Sequence, residues 1–142
     1  MPTKPSKTLQ PVPNPHPDRR YEVEIECPEF TALCPLTGQP DFATITFRYE
    51  PGPYIVELKS LKLYLWSFRD EGHFHEDVVN LILKDFVRMI QPRKLEVIGK
   101  FNVRGGLYTT VRARYAQDEA VDAPSAGDAS SIGRRGQAEQ SV

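Results

Sequence analysis

The segment "LCPLTGQPDFATITF", Leu33 to Phe47, sets one thiol, Cys34, among the turn-forming residues Pro35, Gly38 and Pro40, and one carboxylate, Asp41, at the head of an alternating apolar run. Such residues restrict the backbone, and rigid loops on a scaffold are where reactive groups are held. Cys34 therefore has two readings, a nucleophile or a small buried thiol, because free cysteine is among the most buried residue types. A cysteine nucleophile needs an acid or base beside it, and the candidates are Asp41, His73, His75 and Glu76. In "GHFHEDVVN", Glu76 and Asp77 fall in the first turn of a helix, where carboxylates favour the positive end of the dipole. His73 and His75 with Cys34 or Cys27 are residue types that zinc takes, but CxxC and HxxxH spacings are both missing and no metal site is expected. In "ELKSLKLY", Glu57 to Tyr64, Lys59 and Lys62 stand at i, i+3 near the start of a helix. Two ammonium groups so placed can hold phosphates, or they are simply a solvated face. No G-x-G-x-x-G follows a strand, so a Rossmann dinucleotide site is not supported.

Strands and helices must position these groups. "RYEVEIE" alternates Tyr21, Val23 and Ile25 with charged residues, and "FATITFRYE" alternates Ala43, Ile45, Phe47 and Tyr49 with polar ones, the period of half-buried strands. From Ser60 the period lengthens: Leu61, Tyr64, Leu65 and Phe68 form one helical stripe, and Val79, Ile82, Leu83, Phe86 and Ile90 form another. Pro92 stops the second helix, and "LEVIGKFNV" and "LYTTVRARY" read as strands around the hairpin turn "RGG". The order ββααββ implies an α+β fold, an antiparallel sheet with two helices on one face. Its two sheet edges invite pairing with another copy, so a homo-oligomer with sites between subunits is expected.

A chain of 142 residues with 39% hydrophobic content suits one domain and one modest core. The formal charge of −1 gives no field for nucleic acid or an anionic membrane. No apolar run nears the roughly 20 residues of a membrane span and the first residues lack the apolar core of a secretory signal, so a cytoplasmic protein is expected, with Cys27 and Cys34 as thiols. Residues 1–19 hold six of the 13 prolines, and 116–142 is rich in small and polar types; both read as flexible tails around a domain spanning 20–115.

Taken together, "CPLTGQPDFATI", "VELKSLKLYLWSFRDEGHFHEDVVN" and "EVIGKFNVRGG" resemble the NADPH-dependent 7-cyano-7-deazaguanine reductases, the nitrile reductases of queuosine biosynthesis and tRNA modification, in their short single-module form. The resemblance covers 20–115, and Glu57 through Tyr64 match the signature E-[S/L]-K-[S/A]-hydrophobic-K-L-[Y/F/W] that separates these reductases from the type I GTP cyclohydrolases. It implies a tunnelling fold, in which ββααββ subunits join sheets into a barrel with active sites at subunit interfaces. It also implies that Cys34 is the nucleophile forming a thioimidate, Asp41 the proton donor, and His75 with Glu76 the substrate-binding pair. Val56, Glu57 and Leu58 would line the substrate pocket, Lys59 and Lys62 would meet the NADPH phosphates, and no metal would take part. Where some relatives carry a further cysteine two residues after the binding glutamate, this chain has Val78. Two other functions remain to be weighed: a zinc-dependent cyclohydrolase of the same fold, and a non-catalytic oligomeric binding module.

Overall fold

The computed structural model describes residues 3–118, so nearly all of the 116–142 tail lies outside the described residues. Along the chain the elements are β1 (Pro11–Pro13), β2 (Val23–Leu33), β3 (Pro40–Glu50), β4 (Tyr54–Val56), α1 (Leu58–Trp66), α2 (His75–Ile90), β5 (Lys94–Arg104) and β6 (Leu107–Ala116). The long strands form one antiparallel sheet in the order β2-β3-β5-β6, which is the expected ββααββ unit, and the three-residue strands β1 and β4 pair separately.

The alternation in β3 does what its period requires. Ala43, Ile45, Phe47 and Tyr49 are buried on the helix-covered face, while Phe42 and Arg48 are exposed on the other. On α2, Val79, Ile82, Phe86 and Ile90 are fully buried, each such burial being worth roughly 1.5–3 kcal/mol. Phe86 packs against Phe47 and Tyr49 with ring centroids 5.4 and 4.9 Å away. Gly99 lets the helix approach this closely, since a Cβ there would stand 2.6 Å from Cγ2 of Val79. On α1, Leu61, Tyr64 and Leu65 face the core, and the buried Tyr64 hydroxyl donates to Asp85 Oδ2 at 2.6 Å.

Two departures from the sequence reading matter for the site. Strand β2 does not end near Glu26 but runs on to Leu33, passing Pro28 through a bulge between Cys27 and Phe30. Proline is tolerated there because β2 is an edge strand and a bulge needs no ladder donor. The extension carries Cys34 to the far end of the sheet.

The second departure corrects the expected flexible tail over 1–19, whose described part is packed against the domain. Leu9 is 1% exposed, and β1 pairs with β4 through Pro11↔Val56 and Pro13↔Tyr54. Lys7 Nζ is 2.8 Å from Ser67 Oγ and 2.8 Å from Glu71 Oε2, and lies 3.7 Å from the Phe68 ring centroid. One leucine and one short strand pair hold the segment although its composition is that of a tail. Leu9→Ala should therefore lower unfolding stability by about 2–5 kcal/mol, read from the urea midpoint. An unmoved midpoint would mean that the strap adds nothing to the fold.

Candidate active site

Leu33 ends β2 and is tied to the segment leading into α2. Its N–H donates to Glu71 O at 2.9 Å and its carbonyl accepts from His73 N–H at 3.0 Å, an isolated parallel bridge centred on Gly72. A Cβ on Gly72 would lie 3.3 Å from Pro35 Cα, so glycine permits the two segments to touch. The loop after Leu33 closes on itself, with Cys34 N–H donating to Gln39 O at 2.8 Å and Gly38 N–H to Cys34 O at 2.9 Å. Gly38 takes φ +74°, a conformation other residues rarely adopt.

Inside this loop Cys34 is half-buried and its thiol is lowered to about 7. Hydrogen bonds from the Thr37 side chain and backbone are the main cause, followed by the Leu36 backbone and Arg104, with desolvation opposing. Asp41, second residue of β3, is 9% exposed. Its Oδ2 lies 3.3 Å from His75 Nε2, and Arg104 pairs with its Oδ1. Its backbone carbonyl accepts from Thr31 Oγ1 at 2.8 Å. His75, first residue of α2, lies flat on Phe101 of β5, with centroids 3.8 Å apart and planes 6° from parallel. The ends of β2, β3 and β5 and the start of α2 thus converge on a thiol of lowered pKa, a buried carboxylate, an imidazole and a guanidinium.

The other expected residues divide. Glu76 is exposed in the first turn of α2 beside His75. His73, a candidate partner for Cys34, instead meets Glu71 Oε1 at 2.9 Å and Asp77 Oδ2 at 3.3 Å. Among the described residues no three His, Cys, Asp or Glu side chains gather as for a metal ion. Val56, ahead of Glu57 and Leu58, sits away from Cys34 within the chain. Val56 N–H donates to the Tyr49 hydroxyl at 3.1 Å, and Tyr49 is about 27 Å along β3 from Asp41 at the usual rise per residue. Glu57 caps α1, its carboxylate accepting from the N–H groups of Lys59 at 2.8 Å and Ser60 at 2.7 Å. Lys59 and Lys62 are exposed on α1, and neither forms an ion pair among the described residues. Lys62 borders a groove of about 490 Å³ between α1 and β2 whose walls include Leu58, Leu61, Trp66 and Cys27. An exposed ammonium group on the rim of a largely apolar groove is a feature that can meet a phosphate-bearing molecule with flat rings.

Two contributors escaped the sequence reading. Thr37 was one of several loop residues, and Arg104 was absorbed into a hairpin turn; the only signal for either was its place inside a quoted motif.

The family model described as QueF-like protein matches residues 40–120. The chain is 61% identical over 128 residues to the NADPH-dependent 7-cyano-7-deazaguanine reductase of Thermomicrobium roseum, spanning 90% of this chain and 100% of that one. It is 63% identical over 120 residues to the protein of the same name from Anaeromyxobacter sp. strain Fw109-5, spanning 84% and 98%. The chain belongs to this reductase family. Among solved structures, the apo archaeosine synthase QueF-Like superposes with a TM-score of 0.59 at 18% identity, covering 67% of this chain and 91% of that one. That likeness concerns the fold, the α+β tunnelling fold that the sequence led us to expect.

The environment of Cys34 generates a pH prediction. Alkylation of Cys34 in the free protein should rise with pH through a midpoint of about 7, since only the thiolate reacts. Thr37→Ala should move that midpoint upward, because it removes the largest stabiliser of the thiolate. A wild-type midpoint near 9, the unperturbed value, would show that the loop does not activate the thiol.

Proposed function

We propose that this protein reduces the nitrile of 7-cyano-7-deazaguanine to the aminomethyl group of 7-aminomethyl-7-deazaguanine, using two NADPH and a covalent adduct on Cys34, as its part in queuosine biosynthesis. The observation that carries the mechanism is the convergence of a thiol lowered to about 7 with a buried carboxylate held by His75 and Arg104.

A nitrile carbon is a poor hydride acceptor, and thiolate addition divides one hard reduction into easier steps. Cys34 Sγ forms a bond to that carbon while the nitrile nitrogen takes a proton from Asp41, leaving a neutral thioimidate. Asp41 must carry a proton at that moment, and His75 Nε2, 3.3 Å from its Oδ2, is placed to return one after each transfer. NADPH supplies a hydride to the same carbon twice, first giving a thiohemiaminal and, after the C–S bond breaks, reducing the resulting imine to the amine. When that bond breaks the electron pair returns to Cys34 sulfur, and the loop that stabilises the thiolate for attack also stabilises it as leaving group. The balance is one nitrile, two hydrides and two protons to one amine.

Glu76 would accept hydrogen bonds from the N–H groups of the guanine-like edge, an arrangement that rejects bases lacking those donors. Val56, Glu57 and Leu58 would border the same substrate, and Lys59 and Lys62 would hold the cofactor phosphates. Val56, bonded to Tyr49, lies too far along β3 to meet Cys34 of its own chain, which supports a homo-oligomer whose sites are completed between subunits. The outer strands β2 and β6 leave both sheet edges to a neighbour, and Val103, Leu107 and Tyr108 at the β5–β6 tip are 50%, 72% and 81% exposed.

Mixing protein, 7-cyano-7-deazaguanine and NADPH should consume two NADPH per nitrile, followed by cofactor absorbance. Without NADPH, a covalent adduct should accumulate, seen by intact mass and mapped to Cys34. Cys34→Ala should form none, and Asp41→Asn should slow adduct formation by about 10²–10⁴-fold. Wild-type turnover by Cys34→Ala would overturn the covalent route, and an adduct on Cys27 would move the nucleophile. Lys59→Ala with Lys62→Ala should raise the KM for NADPH by about tenfold or more while leaving adduct formation intact, since charged contacts to the cofactor are lost. Equal losses for both ligands would make the lysines structural.

A further inference from the structure

The two chain neighbours of Cys34 both touch one short segment, Glu71 to His73. Leu33 is bonded through its backbone to Glu71 O and His73 N–H, and Gly72 stands close enough to Pro35 that a Cβ would lie 3.3 Å from its Cα. His75 follows two residues after His73. Holding this segment therefore holds the nucleophile loop against the imidazole that faces Asp41. The side-chain anchor is Glu71, whose carboxylate oxygens are both taken, Oε2 by Lys7 Nζ at 2.8 Å and Oε1 by His73 Nε2 at 2.9 Å. Across the same ring, His73 Nδ1 lies 3.3 Å from Asp77 Oδ2 in the first turn of α2. Lys7 is fixed in turn, with Ser67 Oγ 2.8 Å away and the Phe68 ring facing its ammonium. A line of contacts thus runs from the N-terminal strap to the start of α2, past the loop that carries the thiol.

We propose that Glu71 is a positioning residue for the adduct-forming step, with Lys7 of the N-terminal strap as the group that holds it in place. The inference rests on the reading that Cys34 attacks the nitrile. Stability is not what these contacts chiefly supply, because the Lys7 and Glu71 side chains are 44% and 42% exposed and ion pairs so open to water add little to folding. Geometry is what they supply. Glu71 to Phe74 lies outside both helices, and connecting segments of this kind are where local opening is easiest. A segment that joins the nucleophile loop to His75 passes its own loosening to both, and a misplacement of about 1 Å costs about a hundredfold in rate.

The test uses the full chain, with Glu71→Ala, Lys7→Met and the conservative variants Glu71→Gln and Lys7→Arg. Without NADPH, adduct formation with 7-cyano-7-deazaguanine should slow by about ten- to a hundredfold in Glu71→Ala and about tenfold in Lys7→Met. Lys7→Arg should restore the rate, and Glu71→Gln, which keeps one acceptor oxygen, should restore part of it. Nitrile affinity, measured by calorimetry in a Cys34→Ala background, should stay within about threefold of its value without the second change. The urea midpoint should move little in Lys7→Met, whereas Ile82→Val, a core truncation in α2, should lower that midpoint and leave the adduct rate unchanged. Hydrogen exchange supplies a readout that needs no reaction: peptides spanning Leu33 and His73 should exchange about tenfold faster in Glu71→Ala. If Glu71→Ala lacks a native circular dichroism spectrum, Lys7→Met decides by the same rate and exchange measurements. Unchanged adduct rates in the folded variants would overturn the proposal, as would an equal slowing in Ile82→Val, which would make the effect one of general stability. Unchanged exchange would overturn it too. If wild type forms no adduct and oxidises no NADPH while exchange still quickens in Glu71→Ala, the hold of Glu71 on the loop stands and the proposed reaction falls.

Discussion

The site depends on one backbone contact, the parallel bridge between Leu33 and Gly72. The sheet is otherwise antiparallel, and nothing in its ladder joins the end of β2 to the helix layer. The two hydrogen bonds at Leu33 do so, fixing the residue before Cys34 against the segment two residues before His75. Gly72 lets the chains approach closely, since a Cβ there would press on Pro35 at 3.3 Å. The strap from Lys7 to Glu71 and the His73 pair with Glu71 brace the same segment from its other side. A loop that must hold a nucleophile in one orientation is thus fastened at both ends, by the bridge before Cys34 and by the Cys34–Gln39 and Gly38–Cys34 hydrogen bonds that close it.

Electrostatics at this junction favour anions. Cys34 receives hydrogen bonds from its own loop, and Asp41 is buried with an imidazole on one oxygen and a guanidinium on the other. A buried carboxylate without such partners would cost several kcal/mol, so the imidazole and the guanidinium are a condition of its burial as much as of its chemistry. The proposed proton delivery then requires a group able to reload Asp41, and the imidazole stacked on Phe101 is held in plane for that transfer. Phe101 is itself held by β3 through its pairing with Ala43, so the imidazole's orientation traces back to sheet register.

Much of this was legible in the sequence because it follows from periodicity. The alternation of Ala43 to Tyr49 and the helical stripe from Val79 to Ile90 each imply a single buried face, and the sheet and helices formed accordingly. The strap was illegible for the opposite reason. Pro11 and Pro13 argue against a strand, and Leu9 is one apolar residue in a polar stretch; only the partner strand at Tyr54–Val56, more than forty residues away, makes them structural. His73 and His75 were equivalent candidates by type and spacing. They separated because the ring of His75 is captured by Phe101 and Asp41, whereas that of His73 is captured by Glu71 and Asp77.

Arg104 shows where residue patterns cease to inform. As written, "NVRGG" is a strand followed by two glycines, and any reader of turns would assign the arginine to solvent. Its direction is set by a register slip between Phe101 and Arg104, and a slip is a property of two strands together, not of either sequence. Glu57 presents the converse case, since its local role as helix cap is readable from position while its proposed role toward substrate is not, because its carboxylate is engaged by the N–H groups of its own helix. An N-cap carboxylate with both oxygens engaged by backbone N–H groups is rotationally fixed, so the backbone of Val56 to Leu58 is presented as a rigid edge. A rigid edge at Val56 to Leu58 and a fastened nucleophile loop at Cys34 are the two halves that the proposed homo-oligomer would bring face to face.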